Sequence, residues 1–126
     1  MKMTVTRSIN EWDPFTTGWV AALIEGEGTI TCTRRANGQR PYRPLVRVEM
    51  TDRDVVERLA QYIGIGSVTS REQGPKALGS KRIYTYCLSS MLAVEDLLYV
   101  LYPHMGERRK ARIEQLFEDL DWDLDT

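Results

Sequence analysis

The sequence predicts an α+β domain built round one four-stranded sheet, mixed or antiparallel, in the order helix, hairpin, helix, hairpin, helix, helix. Two observations carry that prediction. Residues 29–35 with 42–50, and 65–71 with 81–88, alternate between apolar and polar side chains as half-buried strands do. The segments around them repeat apolar residues three and four apart, as helices packing one face on a core require. The chain has 126 residues, 42% of them apolar, which suffices for one respectable core. Residues 1–126 are therefore expected to form a single domain, with 1–12 as an N-terminal extension and 121–126 as an acidic tail. No internal repeat is apparent.

The first helix is expected to start at Asp13, which caps it ahead of Pro14, with Thr17 as a later alternative cap. No charge occurs from Pro14 through Ile24, and eleven uncharged residues cannot span a bilayer. Phe15, Trp19 and Leu23 fill one flank, and Val20 and Ile24 another, so this helix should be buried. Gly18, Ala22 and Gly26 fall four apart and form a smooth stripe along which a second backbone can approach. The stripe reads as a dimer contact; ordinary packing within one chain is the competing account. Glu25-Gly26-Glu27-Gly28 then ends the helix and offers hard oxygen ligands beside flexible backbone, which suits Mg²⁺ or Ca²⁺.

In the first hairpin Thr29, Thr31, Thr33 and Arg35 point one way and Ile30 and Cys32 the other, and Asn37-Gly38 marks the turn. The returning strand directs Val46, Val48 and Met50 inward, leaving Arg43, Leu45, Arg47 and Glu49 outside. Thr51 is expected to cap a second helix with Asp54 as its partner, Val55, Val56, Leu59, Ala60 and Ile63 as its buried side and Gly64 as its stop. A second hairpin follows across a Gly- and Pro-rich loop at 73–79. It shows Ser67, Thr69, Arg71, Lys81 and Thr85 on one face and Val68, Tyr84, Tyr86 and Leu88 on the other, with Ile83 and Cys87 falling among the polar set. Helices over 91–102, ended by Pro103, and 107–120 close the chain. Tyr84, Tyr86, Tyr99 and Tyr102 lie at core spacings. The one histidine, His104, reads as structural or surface.

The net charge of −1 hides an uneven distribution. Between Gly28 and Val48 stand Arg34, Arg35, Arg40, Arg43 and Arg47 with no acid, whereas from Glu114 onward six acids have no basic residue beside them. A twisted sheet carrying Arg, Lys and Thr on its open face can follow the major groove of DNA, where Arg reads guanine edges and Thr contacts bases. Cys32 and Cys87 sit in strands without metal-ligand spacing and read as reduced thiols. Residues 1–11 are polar, so no secretion signal is expected, and the chain is expected to be intracellular, cytoplasmic or nucleoid-associated.

Val20-Ala21-Ala22-Leu23-Ile24-Glu25-Gly26-Glu27-Gly28 resembles the LAGLIDADG motif of homing endonucleases. Val48-Glu49-Met50-Thr51-Asp52-Arg53-Asp54-Val55-Val56, Ile63-Gly64-Ile65-Gly66-Ser67-Val68 and Leu101-Tyr102-Pro103-His104-Met105-Gly106-Glu107-Arg108-Arg109-Lys110 extend the resemblance to residues 14–118. It implies an αββαββαα domain whose sheet forms a saddle over a double-stranded DNA target. It further implies a homodimer paired through Gly18, Ala22 and Gly26, a near-palindromic target and 3′ overhangs.

The second acid of the motif matches Glu27, so Glu27 with Gly26 would hold Mg²⁺, for which Ca²⁺ or Mn²⁺ can substitute. By position the DNA-binding set is Thr31, Thr33, Arg35, Arg43, Arg47, Ser67, Thr69, Arg71, Lys81 and Thr85. Two departures stand out. Asp52 occupies a position where many relatives order active-site water with Gln, and it is either catalytic or a helix cap. The basic residue relatives carry near the end of the last strand is missing from Cys87-Leu88-Ser89-Ser90-Met91-Leu92, leaving Lys81 or Arg71 as substitutes. An inactive DNA-binding regulator and an RNA maturase on the same scaffold are the alternatives to an endonuclease. Arg108, Arg109, Lys110 and Arg112 read as phosphate contacts or as a solvated helix face.

Overall fold

The computed structural model describes residues 9–33, 43–74 and 81–124. Arg35, the turn at 36–39 and residues 75–79 of the second loop lie outside them. From residue 14 the described elements follow in the expected order: α1 (Pro14–Glu27), β1 (Gly28–Thr33), β2 (Arg43–Met50), α2 (Arg53–Ile63), β3 (Ser67–Gln73), β4 (Lys81–Leu88), α3 (Met91–Leu101), a 3₁₀ turn (Tyr102–His104) and α4 (Glu107–Leu120). The sheet is antiparallel throughout in the order β1-β2-β4-β3, so each hairpin pairs within itself and β2 joins β4 at the centre.

Local rules set the ends of α1. Asp13 has an extended backbone and its carboxylate accepts the Thr16 backbone N–H at 2.8 Å, with Pro14 pre-set for the first turn. The Thr16 hydrogen bond holds the Asp13 carboxyl below its ordinary value. At the other end, a Cβ on Gly28 would lie 2.7 Å from the Ile24 carbonyl oxygen. Only glycine lets the chain leave the helix and enter β1 without a connecting loop. Glu27 is thereby the last helical residue and sits against the first residue of the sheet.

The second helix starts one residue later than expected. Asp52 holds the cap position with an extended backbone, and its carbonyl accepts from Val55 and Val56, but its carboxylate makes no capping bond. With the boundary at Asp52, the third helical residue is Val55 rather than an acid, so the expected Thr51/Asp54 box cannot form. Gly64 ends α2 in the left-handed conformation at φ 86°, as anticipated. The following Gly66 is also left-handed, at φ 112°. This connection consumes Ile65 and Gly66, and β3 begins at Ser67 rather than at residue 65.

The core lies between one sheet face and the helices. Ile30, Val46, Val48, Tyr86 and Leu88 are buried against Val20 and Ile24 of α1, Val56, Leu59 and Ile63 of α2, Leu97, Leu98 and Leu101 of α3, and Ile113 and Leu116 of α4. Tyr86 donates its hydroxyl to the Ile65 carbonyl at 2.6 Å, and burial pushes its phenol above the usual range. Three positions expected to be buried are instead exposed, Phe15 at 63%, Val68 at 37% and Tyr99 at 40%. Val68 lies on β3, an edge strand exposed along its whole length. Ile9 is buried and the Trp12 indole donates to the Tyr62 carbonyl, while Trp122 stacks edge-on against Phe117. Both ends of the described chain therefore pack on the core. His104 is exposed, and Cys32 and Cys87 are half-buried. Among the described residues no helix is long and apolar enough to cross a membrane.

Candidate nucleic-acid interface and metal-binding acid

One side of α1 is inserted into the core through Val20, Ala21 and Ile24. The opposite side carries Gly18, Ala22 and Gly26, all exposed. A Cβ built on Gly18 or Gly26 meets nothing within 4 Å, so the described chain does not pack its own elements along this stripe. Phe15, four residues before Trp19 on the same side, is 63% exposed. The flank beside the stripe is finished by Arg58 of α2. Its guanidinium lies 4.5 Å from the Trp19 ring centroid and 5.3 Å from that of Tyr62, and its Nε donates to the Tyr62 hydroxyl at 3.0 Å.

The two acids that end α1 have different surroundings. Glu25 Oε1 accepts the Gly106 backbone N–H at 2.8 Å, and Gly106 is the cap residue of α4. The Glu25 carbonyl also accepts from Arg109 Nη2 at 3.2 Å. Glu25 is thus a brace that fixes the start of α4 to the end of α1. Glu27 is exposed and makes no hydrogen bond or ion pair to a described residue. A metal ion would find its carboxylate available.

Positive charge reaches this place from α4. A cleft between that helix and the start of β1 is lined by Gly28, Thr29, Ile30, Arg108, Arg109, Arg112 and Gln115. Arg112 Nε donates to the Ile30 carbonyl at 2.9 Å and its Nη2 to the Thr31 hydroxyl at 3.3 Å, which ties the β1 edge to α4. Arg109 Nε is buried with no partner among the described residues. No basic residue follows β4 over 87–92; the structure brings guanidinium groups to the motif's end from a helix some 80 residues on. The signal was the Arg108–Arg112 run, which in isolation is indistinguishable from a solvated face.

The open sheet face is aligned as the alternation predicts. The register pairs Thr31 with Leu45 and Thr33 with Arg43 on β1 and β2, Arg47 with Cys87 and Glu49 with Thr85 on β2 and β4, and Ser67 with Cys87, Thr69 with Thr85, Arg71 with Ile83 and Gln73 with Lys81 on β3 and β4. Every described member of the expected DNA-binding set therefore shares one face. They are unequal in availability. The Thr31 hydroxyl is engaged by Arg112, the Thr33 hydroxyl donates to the Arg43 carbonyl at 3.3 Å, and Thr85 is 8% exposed, whereas Arg43, Arg47 and Lys81 have no side-chain partner among the described residues. Glu49, outside the expected DNA-binding set, shares the same face, opposite Thr85. Asp52 is exposed at the start of α2 and its carboxylate bonds to no described residue.

No protein-family model and no curated protein sequence matches the chain. Solved structures do. The homing endonuclease I-CvuI, in complex with its target in the presence of Ca, superposes with a TM-score of 0.65 at 17% identity, covering 82% of this chain and 64% of that one. The archaeal intron-encoded homing endonuclease I-Vdi141I, complexed with DNA, gives 0.64 at 19% identity over 82% of this chain and 65% of that one. The LAGLIDADG homing endonuclease I-GzeII, in complex with a DNA target, gives 0.66 at 14% identity over 83% and 35%. This chain has the LAGLIDADG homing endonuclease fold. It spans less than two thirds of the length of I-CvuI and I-Vdi141I and about a third of I-GzeII. In the LAGLIDADG fold seen here, the motif helix is α1, its terminal acids are Glu25 and Glu27, and the open sheet face lies opposite the helices.

Proposed function

We propose that this chain is a sequence-specific endonuclease of double-stranded DNA that depends on a divalent metal. In this reading it is a single LAGLIDADG domain of the type that spreads a mobile genetic element, working as a symmetric homodimer on a near-palindromic target and leaving 3′ overhangs. The observation that carries the reading is the division of labour at the end of α1. Glu25 is committed to structure, and among the described residues nothing engages Glu27 or covers the stripe beside it.

Phosphodiester hydrolysis in line needs a positioned water and positive charge on the leaving oxygen and the phosphate. The donor set fits a shared metal site. Glu27 supplies one hard oxygen ligand with the Gly26 carbonyl beside it, and no group of three His, Cys, Asp or Glu residues forms among the described residues of one copy. A second copy and the phosphate oxygens complete it. Held there by Glu27 and Gly26, Mg²⁺, or Ca²⁺ or Mn²⁺ in its place, would supply positive charge for the phosphate and a Lewis acid for activating water.

The chain's own residues do the rest. Close approach of two α1 stripes about a two-fold axis places two Glu27 carboxylates together, with the Arg108 and Arg109 cleft beside each to bind phosphate. Asp52, free at the start of α2, is available to order the attacking water. The open sheet face reads the groove through Arg43, Arg47 and Lys81, and Thr69 and Ser67 add hydrogen bonds.

The test compares wild type and Glu27→Gln on duplexes selected from a randomised pool. Wild type is expected to cut in Mg²⁺ and stop when a chelator is added, while Glu27→Gln binds with unchanged affinity and does not cut. Cutting by Glu27→Gln would overturn the assignment. Duplex binding by wild type without any cutting would favour the regulator, and preference for structured intron RNA the maturase.

A further inference from the structure

The open sheet face holds one acid among the described residues, and the structure secures it. Glu49 Oε2 accepts the Thr85 hydroxyl at 3.0 Å from β4 and lies 3.4 Å from Arg71 Nη2 of β3. Thr85 is the one buried polar residue among those described, and its hydroxyl orients this carboxylate. Glu49 Oε1 accepts nothing from the described residues, and the Arg71 side chain remains 54% exposed. An acid pressed toward phosphates is repelled and loses hydration, and a donor on the DNA itself can offset that.

In the major groove a carboxylate finds such a donor on cytosine N4, while guanidinium donates to guanine O6 and N7. These groups lie side by side on the edge of one C·G pair, as the Glu49 carboxylate and the Arg71 guanidinium meet across β4 on the open face. We infer that Glu49 and Arg71 read a single C·G base pair in each half-site, with Thr85 positioning the carboxylate. This deepens the proposed function and rests on it.

The experiment selects bound duplexes from a randomised pool in Ca²⁺, using wild type, Glu49→Gln and Thr85→Val, each first checked for cooperative melting. Wild type should enrich cytosine at one position per half-site. Glu49→Gln should replace that cytosine with adenine, whose N6 and N7 suit an amide, with a change in preference of about 5- to 150-fold confined to that position. Thr85→Val should weaken discrimination at the same position and leave the others unchanged. A Glu49→Gln profile identical to wild type, or a loss spread evenly over all positions, overturns the inference while leaving sequence-specific binding standing. If wild type enriches no sequence, the function on which the inference rests falls, and the inference with it.

Discussion

Glu25→Ala and Glu27→Ala, two substitutions separated by one residue, should have opposite consequences. Glu25 accepts the Gly106 N–H at 2.8 Å across a sequence separation of 81 residues. A hydrogen bond to a charged group contributes about 1.5 to 3 kcal/mol when well formed, and a negative charge at a helix N-terminus contributes about 0.3 to 1 kcal/mol. The bond lies at the surface, so a net loss of roughly 1 to 2 kcal/mol on Glu25→Ala is the working figure. For a chain of this size that lowers Tm by about 3 to 10 °C. Glu27 has no partner among the described residues, and Glu27→Ala should stay within about 0.5 kcal/mol of wild type. Thermal unfolding followed by circular dichroism, at one fixed protein concentration and without metal, measures both. Equal losses for the two variants, or a larger loss for Glu27→Ala, would refute the assignment of one acid to the scaffold and the other to chemistry.

Three further outcomes are expected. Gly26→Leu fills space that the described residues leave empty beside the stripe; it should leave the fold intact and convert dimer to monomer in sedimentation, and an unchanged dimer would place the contact elsewhere. Gly66→Ala should destabilise well beyond Gly64→Ala, because both positions have positive φ, at about 1 to 2 kcal/mol for an L residue, but only at Gly66 does the new Cβ come within 2.7 Å of the Tyr86 ring; comparable denaturant midpoints would contradict this. Asp13 has a lowered folded pKa, so its cap contributes above the unfolded value of 3.8 and is lost as pH falls through the folded value. The gap in Tm between wild type and Asp13→Ala should therefore be constant near neutrality and close below that value, and a gap that persists in acid would point to another origin.

What was legible in the sequence was what neighbouring residues decide. Period-two alternation placed all four strands and put Ile83 and Cys87 on the polar face, where the register confirms them. Asp13-Pro14 and Gly64 marked helix ends through their own backbone preferences. The sequence leaves the start of α2 between Thr51 and Asp52 because both are acceptable caps, and the outcome, Asp52, depends on how far β2 stays extended. The site was less legible, since its decisive contacts join distant segments. Nothing near Glu25 announces that Gly106 engages it, nothing near Arg112 announces that it ties down β1, and Glu49 acquires its setting from Thr85 and Arg71 on two other strands. The Gly18, Ala22 and Gly26 spacing was visible at once, but whether the chain itself covers that stripe is a question of tertiary packing that only the assembled helices answer.

The pairing of two α1 stripes is tested most directly by a cross-link at their centre. Ala22→Cys, with Cys32 and Cys87 changed to alanine, is oxidised in the presence of a selected palindromic duplex. A disulfide forms only when two Cα atoms come within about 7 Å. A covalent species of twice 14.5 kDa, reversed by reductant, is expected. Chains that bind the duplex yet stay at 14.5 kDa under oxidation would contradict it.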